Sequence, residues 1–315
     1  VQTCALPISH NSFNFKLTNI NIQMAKVVVK NKKCCRFSIL VFLLFLNLVF
    51  SGQLLGGESA VRFGLTPVIL DNQRDFLERW QKFLEKHLER PVIFFQRRTY
   101  GEITEMLLQE QLDIAWVCGR PYVQHQQKLQ LLAVPLYRGK PLYQSYLIAL
   151  SDNTGIDSIL DLKGKVFAYS DPDSNSGHLV PNVMLRREGK DPKTFFAKTF
   201  FTWSHRDVVS AVASGLAQGG AVDGYVWETL NLVHPELTQR TRILNRSQEF
   251  GFPPLVARPS LPKNELLLIQ SALLQMNKDP NGIQLLQKLN LDGFVEGDDA
   301  LFDGIRESLL FVTGY

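Results

Sequence analysis

From Val61 onward, short apolar runs alternate with stretches in which apolar residues return every three or four positions. Val61–Leu65 reads as a strand. Over residues 73–89, Phe76, Trp80, Phe83, Leu84 and Leu88 fall near helical spacing, with Arg74, Glu78, Lys82, Glu85 and Lys86 between them. That pattern predicts an amphipathic helix with one face on a sheet. A strand over 91–95, a helix over 101–110 and a strand over 113–117 follow. A second set begins near Ser151: a strand at Val166–Tyr169, helices over 181–187 and 206–216, and a strand over 221–226. Such alternation predicts α/β architecture with largely parallel sheets.

The two halves rhyme. Each has an amphipathic helix (102–110 and 207–216) running into a strand with Asp near its start or middle, Asp113 and Asp223. This weak internal repeat predicts two similar α/β lobes. Residues 143–150 and 253–258 are apolar and strand-like where the chain would cross between lobes and return. The expected division is 61–146 with 253–315 in lobe 1 and 147–252 in lobe 2, joined by a two-strand hinge. The final helices (263–276, 281–288 and 299–310) are expected to pack back on lobe 1.

The first sixty residues read differently. Residues 1–8 resemble translated sequencing-adapter read-through, so 1–23 are set aside as a scar plus leader. From Met24 a basic run ending at Arg36 precedes an apolar stretch, 37–50, broken only by Ser38 and Asn47. This is the pattern of a secretory signal over 24–60. A membrane span needs roughly 18 apolar residues; the run is shorter, and an uncleaved anchor extended through Leu54 and Leu55 is the alternative. Gly57 and Ser59 permit cleavage before Ala60. No cysteine follows the apolar run, so the acceptor for a lipoprotein anchor is missing. An exported, soluble protein is expected.

Composition narrows the function classes. The chain has 315 residues, 45% apolar and 20% charged, which excludes a disordered, collagen-like or disulfide-scaffold protein. The formal charge of +4 comes from the leader, since 28 basic and 29 acidic residues lie from Val61 onward. No nucleic-acid footprint remains. Any anion must be met by a local site. Of four cysteines, Cys4, Cys34 and Cys35 lie in the leader and only Cys118 in the body, which excludes an internal disulfide framework there and disfavours a cysteine-based zinc site. No P-loop, His-Glu-x-x-His helix or Gly-x-Ser-x-Gly elbow occurs.

The most informative stretch is Tyr169-Ser-Asp-Pro-Asp-Ser-Asn-Ser-Gly-His-Leu-Val-Pro181, in which a strand passes through a small polar loop into a helix. A helix N-terminus offers unpaired N–H groups and a positive dipole end, so hydroxyls added there make an anion cradle. Ser174, Asn175 and Ser176 are the candidate donors. The same residue types also make a plain helix cap, and both readings stand on this motif alone.

Here the chain resembles the periplasmic substrate-binding proteins of phosphate, phosphite and phosphonate ABC importers. The resemblance covers nearly all of 61–315. Its carriers are the loop Asp171–Gly177, the Trp203-Ser204-His205 turn before a helix, the run 215–228, and Tyr100 and Tyr122. It implies a type II periplasmic binding protein fold: two lobes, each a mostly parallel sheet flanked by helices. It also implies that Ser174, Asn175 and Ser176 grip a phosphorus oxyanion, that His205 donates to it, and that Tyr100 and Tyr122 reach across from lobe 1. Asn175 stands where family members usually carry threonine, exchanging a hydroxyl for an amide.

Relatives that take aminoalkyl phosphonates hold the amine with carboxylates, and Tyr225 and Pro253 align at those places. Neither pairs with an ammonium, so phosphite, phosphate or a small alkylphosphonate is the expected ligand. Tyr225 and Phe252 would narrow the distal pocket, with Thr66 also lining it. Asp223 is assigned to the ligand as acceptor from a protonated oxygen, with a strand-end cap as the alternative. His178 is expected along the helix surface.

The implied protein is a monomer without cofactor or metal, located in the periplasm and partnered by an ABC permease. Two alternatives remain at this point. One is an enzyme of the same fold using Cys118 and His205, as in thiamine pyrimidine synthesis; a buried strand-end thiol would be inert instead. The other is the ligand-sensing ectodomain of a signalling system.

Overall fold

A computed structural model describes residues 59–67 and 74–314. The expectations for the scar and the secretory signal fall on residues outside that range, apart from Ser59 and Ala60.

The periodicity over 73–89 becomes α1, Arg74–Leu88, which buries Phe76, Trp80, Phe83, Leu84 and Leu88. It packs on a six-stranded sheet ordered β11-β4-β10-β3-β1-β2. These strands are β1 (Val61–Leu65), β2 (Val92–Gln96), β3 (Ile114–Trp116), β4 (Gln130–Leu136), β10 (Leu255–Ala257) and β11 (Gly293–Glu296). Trp80 is the anchor, with its ring 5.3 Å from Phe63 and 6.1 Å from Trp116. Helix α2 (Tyr100–Leu108) begins with a capping box between Thr99 and Glu102, and α3 (Gly119–His125) follows β3.

The second sheet has five strands ordered β7-β6-β8-β5-β9: β5 (Leu142–Leu150), β6 (Val166–Tyr169), β7 (Lys198–Phe201), β8 (Gly219–Asp223) and β9 (Thr241–Gly251). Helices α4 (Val180–Arg187), α5 (His205–Ala213) and α6 (Gly224–Val233) belong to this lobe. The stacked pair Phe167 and Phe196, 4.4 Å apart, sits in its own apolar cluster.

Two lobes of α/β construction are therefore present, but the sheets are mixed. Strands β1, β2 and β3 pair in parallel, as do β6, β7 and β8. The pairs made by β4, β5, β9, β10 and β11 are antiparallel. Helical crossovers return a chain in the same sense, whereas the strands on either side of the crossings run back against their neighbours.

The crossings themselves lie at 137–141 and 252–254, joined by the Phe252 N–H donating to the Pro141 carbonyl at 2.9 Å. The boundary expected at 146/147 thus falls inside β5. The strand expected over 221–226 also stops early, at Asp223, because that side chain accepts from the Tyr225 and Val226 N–H groups and starts α6.

Of the last helices, α7 (Lys263–Leu274) and α8 (Pro280–Leu289) belong with the first sheet, α8 lying along α1 and α7 beside β4. Helix α9 (Asp303–Thr313) reaches both lobes. A Cβ on Gly119 would lie 2.6 Å from its Ile305, while Arg187 of α4 lies over its Phe311 ring at 5.9 Å.

Candidate functional site

The candidate residues gather at the C-terminal ends of the parallel strands, where open α/β sheets bind ligands. β6 ends in the loop 170–174, which enters a π-helical turn, Asn175–Leu179, before α4. β7 ends in the turn to His205, in which Trp203 takes φ of 68°. β8 ends on Asp223. From the first lobe come Thr66 after β1, Tyr100 at the start of α2 and Cys118 as the residue before α3.

The loop holds its own shape. Ser174 Oγ accepts from the Gly177 N–H at 2.9 Å, and Ser145 Oγ donates to the Ser176 carbonyl at 2.7 Å. Gly177 is required by close approach: a Cβ there would sit 1.9 Å from Ser170 Oγ and 3.1 Å from His205 Cε1. Asn175 Nδ2 donates to the Tyr143 hydroxyl at 2.9 Å, and its backbone N–H donates to Cys118 Sγ at 3.3 Å.

Ser174, Asn175, Ser176, His205, Asp223, Tyr100 and Thr66 are all buried. Within this buried cluster three polar atoms have no partner among the described residues: Tyr100 Oη, Ser170 Oγ and Asn175 Oδ1. Buried polar groups are normally paired, so three together point to a polar occupant. Thr66 Oγ1 donates to the Trp116 carbonyl at 3.1 Å, which leaves it only its acceptor side.

Electrostatics follow from burial. His205 Nδ1 accepts from the Asp223 N–H at 3.0 Å, and burial pulls the imidazole down to about 3. The neutral ring therefore carries its hydrogen on Nε2, as a donor. Burial pushes Asp223 up to about 7, although the Val226 and Tyr225 N–H groups pull the other way. Asp223 is thus both the cap of α6 and an acid poised to gain a proton near neutrality. Tyr100 and Tyr143 are held well above the ordinary phenol range, chiefly by burial.

Tyr122 is not brought into the cluster. Its hydroxyl donates to Asp299 Oδ1 at 2.7 Å and its ring stands edge-on to Phe302 at 4.8 Å, because its place on α3 turns it toward the segment leading into α9. Tyr143 stands in the cluster instead, with Ser145 two residues on. Both lie on one face of β5, and their period-two spacing is the available signal, blurred by Gln144 and Tyr146 on the alternate positions.

Tyr225 and Phe252 form an aromatic wall, with ring centroids 5.0 Å apart. Tyr143 adds to it at 5.8 Å from Phe252, and Tyr137 stands 5.2 Å from Tyr225. The Tyr225 hydroxyl is spent on the Leu289 carbonyl. The Pro253 carbonyl accepts from Trp116 Nε1 at 2.9 Å.

His178 is turned inward under the loop, its Nδ1 2.8 Å from the Pro172 carbonyl. The edges of Tyr169 and Phe201 hold it there, at 4.9 and 5.3 Å. Cys118 lies in the cluster as a hydrogen-bond acceptor, and burial pushes its thiol up to about 11. Little thiolate forms at neutral pH, which removes the activation a nucleophile needs. Among the described residues no group of three or more His, Cys, Asp or Glu could hold a metal ion.

Comparison with known proteins agrees with this architecture. A probable ABC transporter phosphite-binding protein of Prochlorococcus marinus is 23% identical over 275 residues, covering 82% of this chain and 92% of that protein. A phosphonates-binding periplasmic protein of Escherichia coli is 25% identical over 264 residues, covering 81% and 77%.

Among solved structures, the binding component of an ABC phosphonate transporter from Pseudomonas aeruginosa superposes with a TM-score of 0.75 at 25% identity, covering 81% of this chain and 86% of that one. The Prochlorococcus marinus protein in complex with methylphosphonate gives 0.71 at 21% identity, covering 81% and 99%. The type II periplasmic binding protein fold is thereby shared. Residues 63–302 match the family described as the periplasmic substrate-binding protein of phosphonate ABC transporters, and the chain belongs to that family.

Proposed function

We propose that this chain captures a small phosphorus oxyanion without a cationic tail (phosphite, phosphate or an alkylphosphonate) between its lobes and hands it to the permease of an ABC importer. The observation that carries this reading is the buried cluster at the strand ends, where Tyr100, Ser170 and Asn175 keep unpaired polar atoms beside the Nε2 donor of His205. Ser174 and Ser176 add hydroxyls. Charge-assisted hydrogen bonds in a water-excluded cleft supply the affinity.

Asn175 Oδ1 and Asp223 are acceptors, which suits an oxyanion that keeps one P–OH. The wall of Tyr225 and Phe252, with no carboxylate at 225 or 253, supports exclusion of an aminoalkyl tail. The reading is of binding without turnover, by a monomer acting in the periplasm after removal of the leader. A Cys118 thiol held protonated by burial supports this reading over the enzyme alternative.

Calorimetry on the full chain with phosphite, phosphate, methylphosphonate, 2-aminoethylphosphonate and sulfate tests this. Saturable binding of one or more of the first three, with the aminoalkyl compound weak, is expected. Replacing Ser176 by alanine should weaken it by about 1–3 kcal/mol, the worth of one hydrogen bond to a charged group. Sulfate preferred over every phosphorus anion would sink the proposal.

A further inference from the structure

The anion loop touches the first lobe at three points. The Tyr100 N–H donates to Asp171 Oδ2 at 3.1 Å, the Asn175 N–H donates to Cys118 Sγ at 3.3 Å, and Arg120 Nη1 donates to the Pro172 carbonyl at 2.6 Å. The first two use backbone donors. The third is a charged side chain, reaching across the cleft from the second residue of α3.

The Pro172 carbonyl is shared. It faces Arg120 from one lobe and His178 Nδ1, 2.8 Å away, from the other, while the two side-chain nitrogens are 3.2 Å apart. A carbonyl oxygen has two lone pairs and accepts from both. One acceptor in the anion loop thus draws a donor from each lobe.

The charges around this carbonyl favour the arrangement. Asp173 and Asp171 lie on the same loop and attract the guanidinium, although burial opposes its charge. His205 and His178 are both biased toward the neutral form by burial. Arg120 therefore brings permanent positive charge to a closed cluster that already contains the buried Asp171 and Asp223. Its Nε is buried and has no partner among the described residues.

We infer that Arg120 is a positioning residue that clasps the anion loop from the opposite lobe, holding the cleft shut over the captured oxyanion and balancing its charge without touching it. This inference rests on the oxyanion reading for its ligand, but the clasp itself is a property of the closed chain. A charge-assisted hydrogen bond made only on closure slows opening and leaves first encounter unchanged.

The full chain and its R120Q and R120K forms are compared by stopped-flow fluorescence with methylphosphonate and by small-angle scattering. R120Q is expected to release ligand at least tenfold faster with association changed less than twofold, and to give a larger radius of gyration when saturated. R120K, which keeps the charge but loses the planar fork, should fall between.

Parental release and parental radius in R120Q overturn the clasp. If R120Q does not fold, a parental release rate in R120K does the same. If the parent chain binds none of phosphite, phosphate and methylphosphonate, the oxyanion reading fails, and the clasp is judged by unliganded scattering alone: R120Q or R120K more open than the parent supports it, and equal radii overturn it.

Discussion

The backbone N–H of Asp223 donates to Nδ1 of His205 at 3.0 Å, which links the end of β8 to the start of α5 and leaves the histidine a donor on its far nitrogen. The two side chains titrate in opposite senses. His205 is pulled down to about 3 and Asp223 pushed up to about 7, both by burial. Between about pH 4 and 6.5 the unfolded chain binds a proton on His205 that the folded chain refuses, and the folded chain keeps one on Asp223 that the unfolded chain has lost. Their effects on stability cancel across that window.

Replacing His205 by asparagine keeps an acceptor for the Asp223 N–H and removes the titration. Relative to the parent, the stability of the unliganded variant should fall as pH rises from 4 to about 6.5, with a slope approaching about 1.4 kcal/mol per pH unit, and stay level above that. Urea melts at several pH values measure the difference. A difference that does not change with pH would mean that His205 does not titrate with folding.

Asp223→Asn should show the opposite. With the acid gone, the histidine remains, so relative stability falls as pH drops from 6.5 toward 4. Ligand capture carries a related signature: an oxyanion beside Asp223 needs one proton between them, so parental affinity should weaken above about pH 7 and the variant should flatten that decline. Calorimetry from pH 5.5 to 8.5 reads it. Parallel profiles for parent and variant would assign Asp223 to the helix cap alone.

Gly177→Ala places a Cβ against Ser170 Oγ and His205. The loop must shift, and overpacking of this kind costs about 1–3 kcal/mol. Loss of ligand affinity should exceed the loss in melting stability, because the displaced groups are those proposed to face the ligand. A double change with Ser170→Gly opens the same space and should restore melting stability, while affinity recovers only in part because the Ser170 hydroxyl is lost. Failure of that rescue would mean that the glycine serves the turn and not the packing.

Much of this was legible in the chain. The amphipathic spacing of α1 names all five of its buried residues, and the small polar loop read before α4 stands at the end of β6, as expected. Tyr122 misled because a tyrosine near a strand end has no direction in sequence; the structure spends it on Asp299. Tyr143 was passed over because it lies on β5, where an apolar run reads as core. Strand β9 was missed because its sequence, Thr-Arg-Ile-Leu-Asn-Arg-Ser-Gln-Glu-Phe-Gly, lies at a sheet edge and lacks apolar alternation. The sense of strand pairing depends on where the chain crosses between lobes, and no local pattern carries that.

Helix α9 is held by side chains of both lobes. Arg306 holds it to Gln126 of the first lobe at 2.7 Å, and Tyr122 grips Asp299 just ahead of it, whereas Arg187 meets Phe311 from the second lobe at 5.9 Å. A swing of one lobe against the other is expected to change the Arg187–Phe311 contact. The far end of this helix is a natural pointer: a small dye on Thr313, read against one on α4, would follow the opening of single molecules in real time without a label near the ligand.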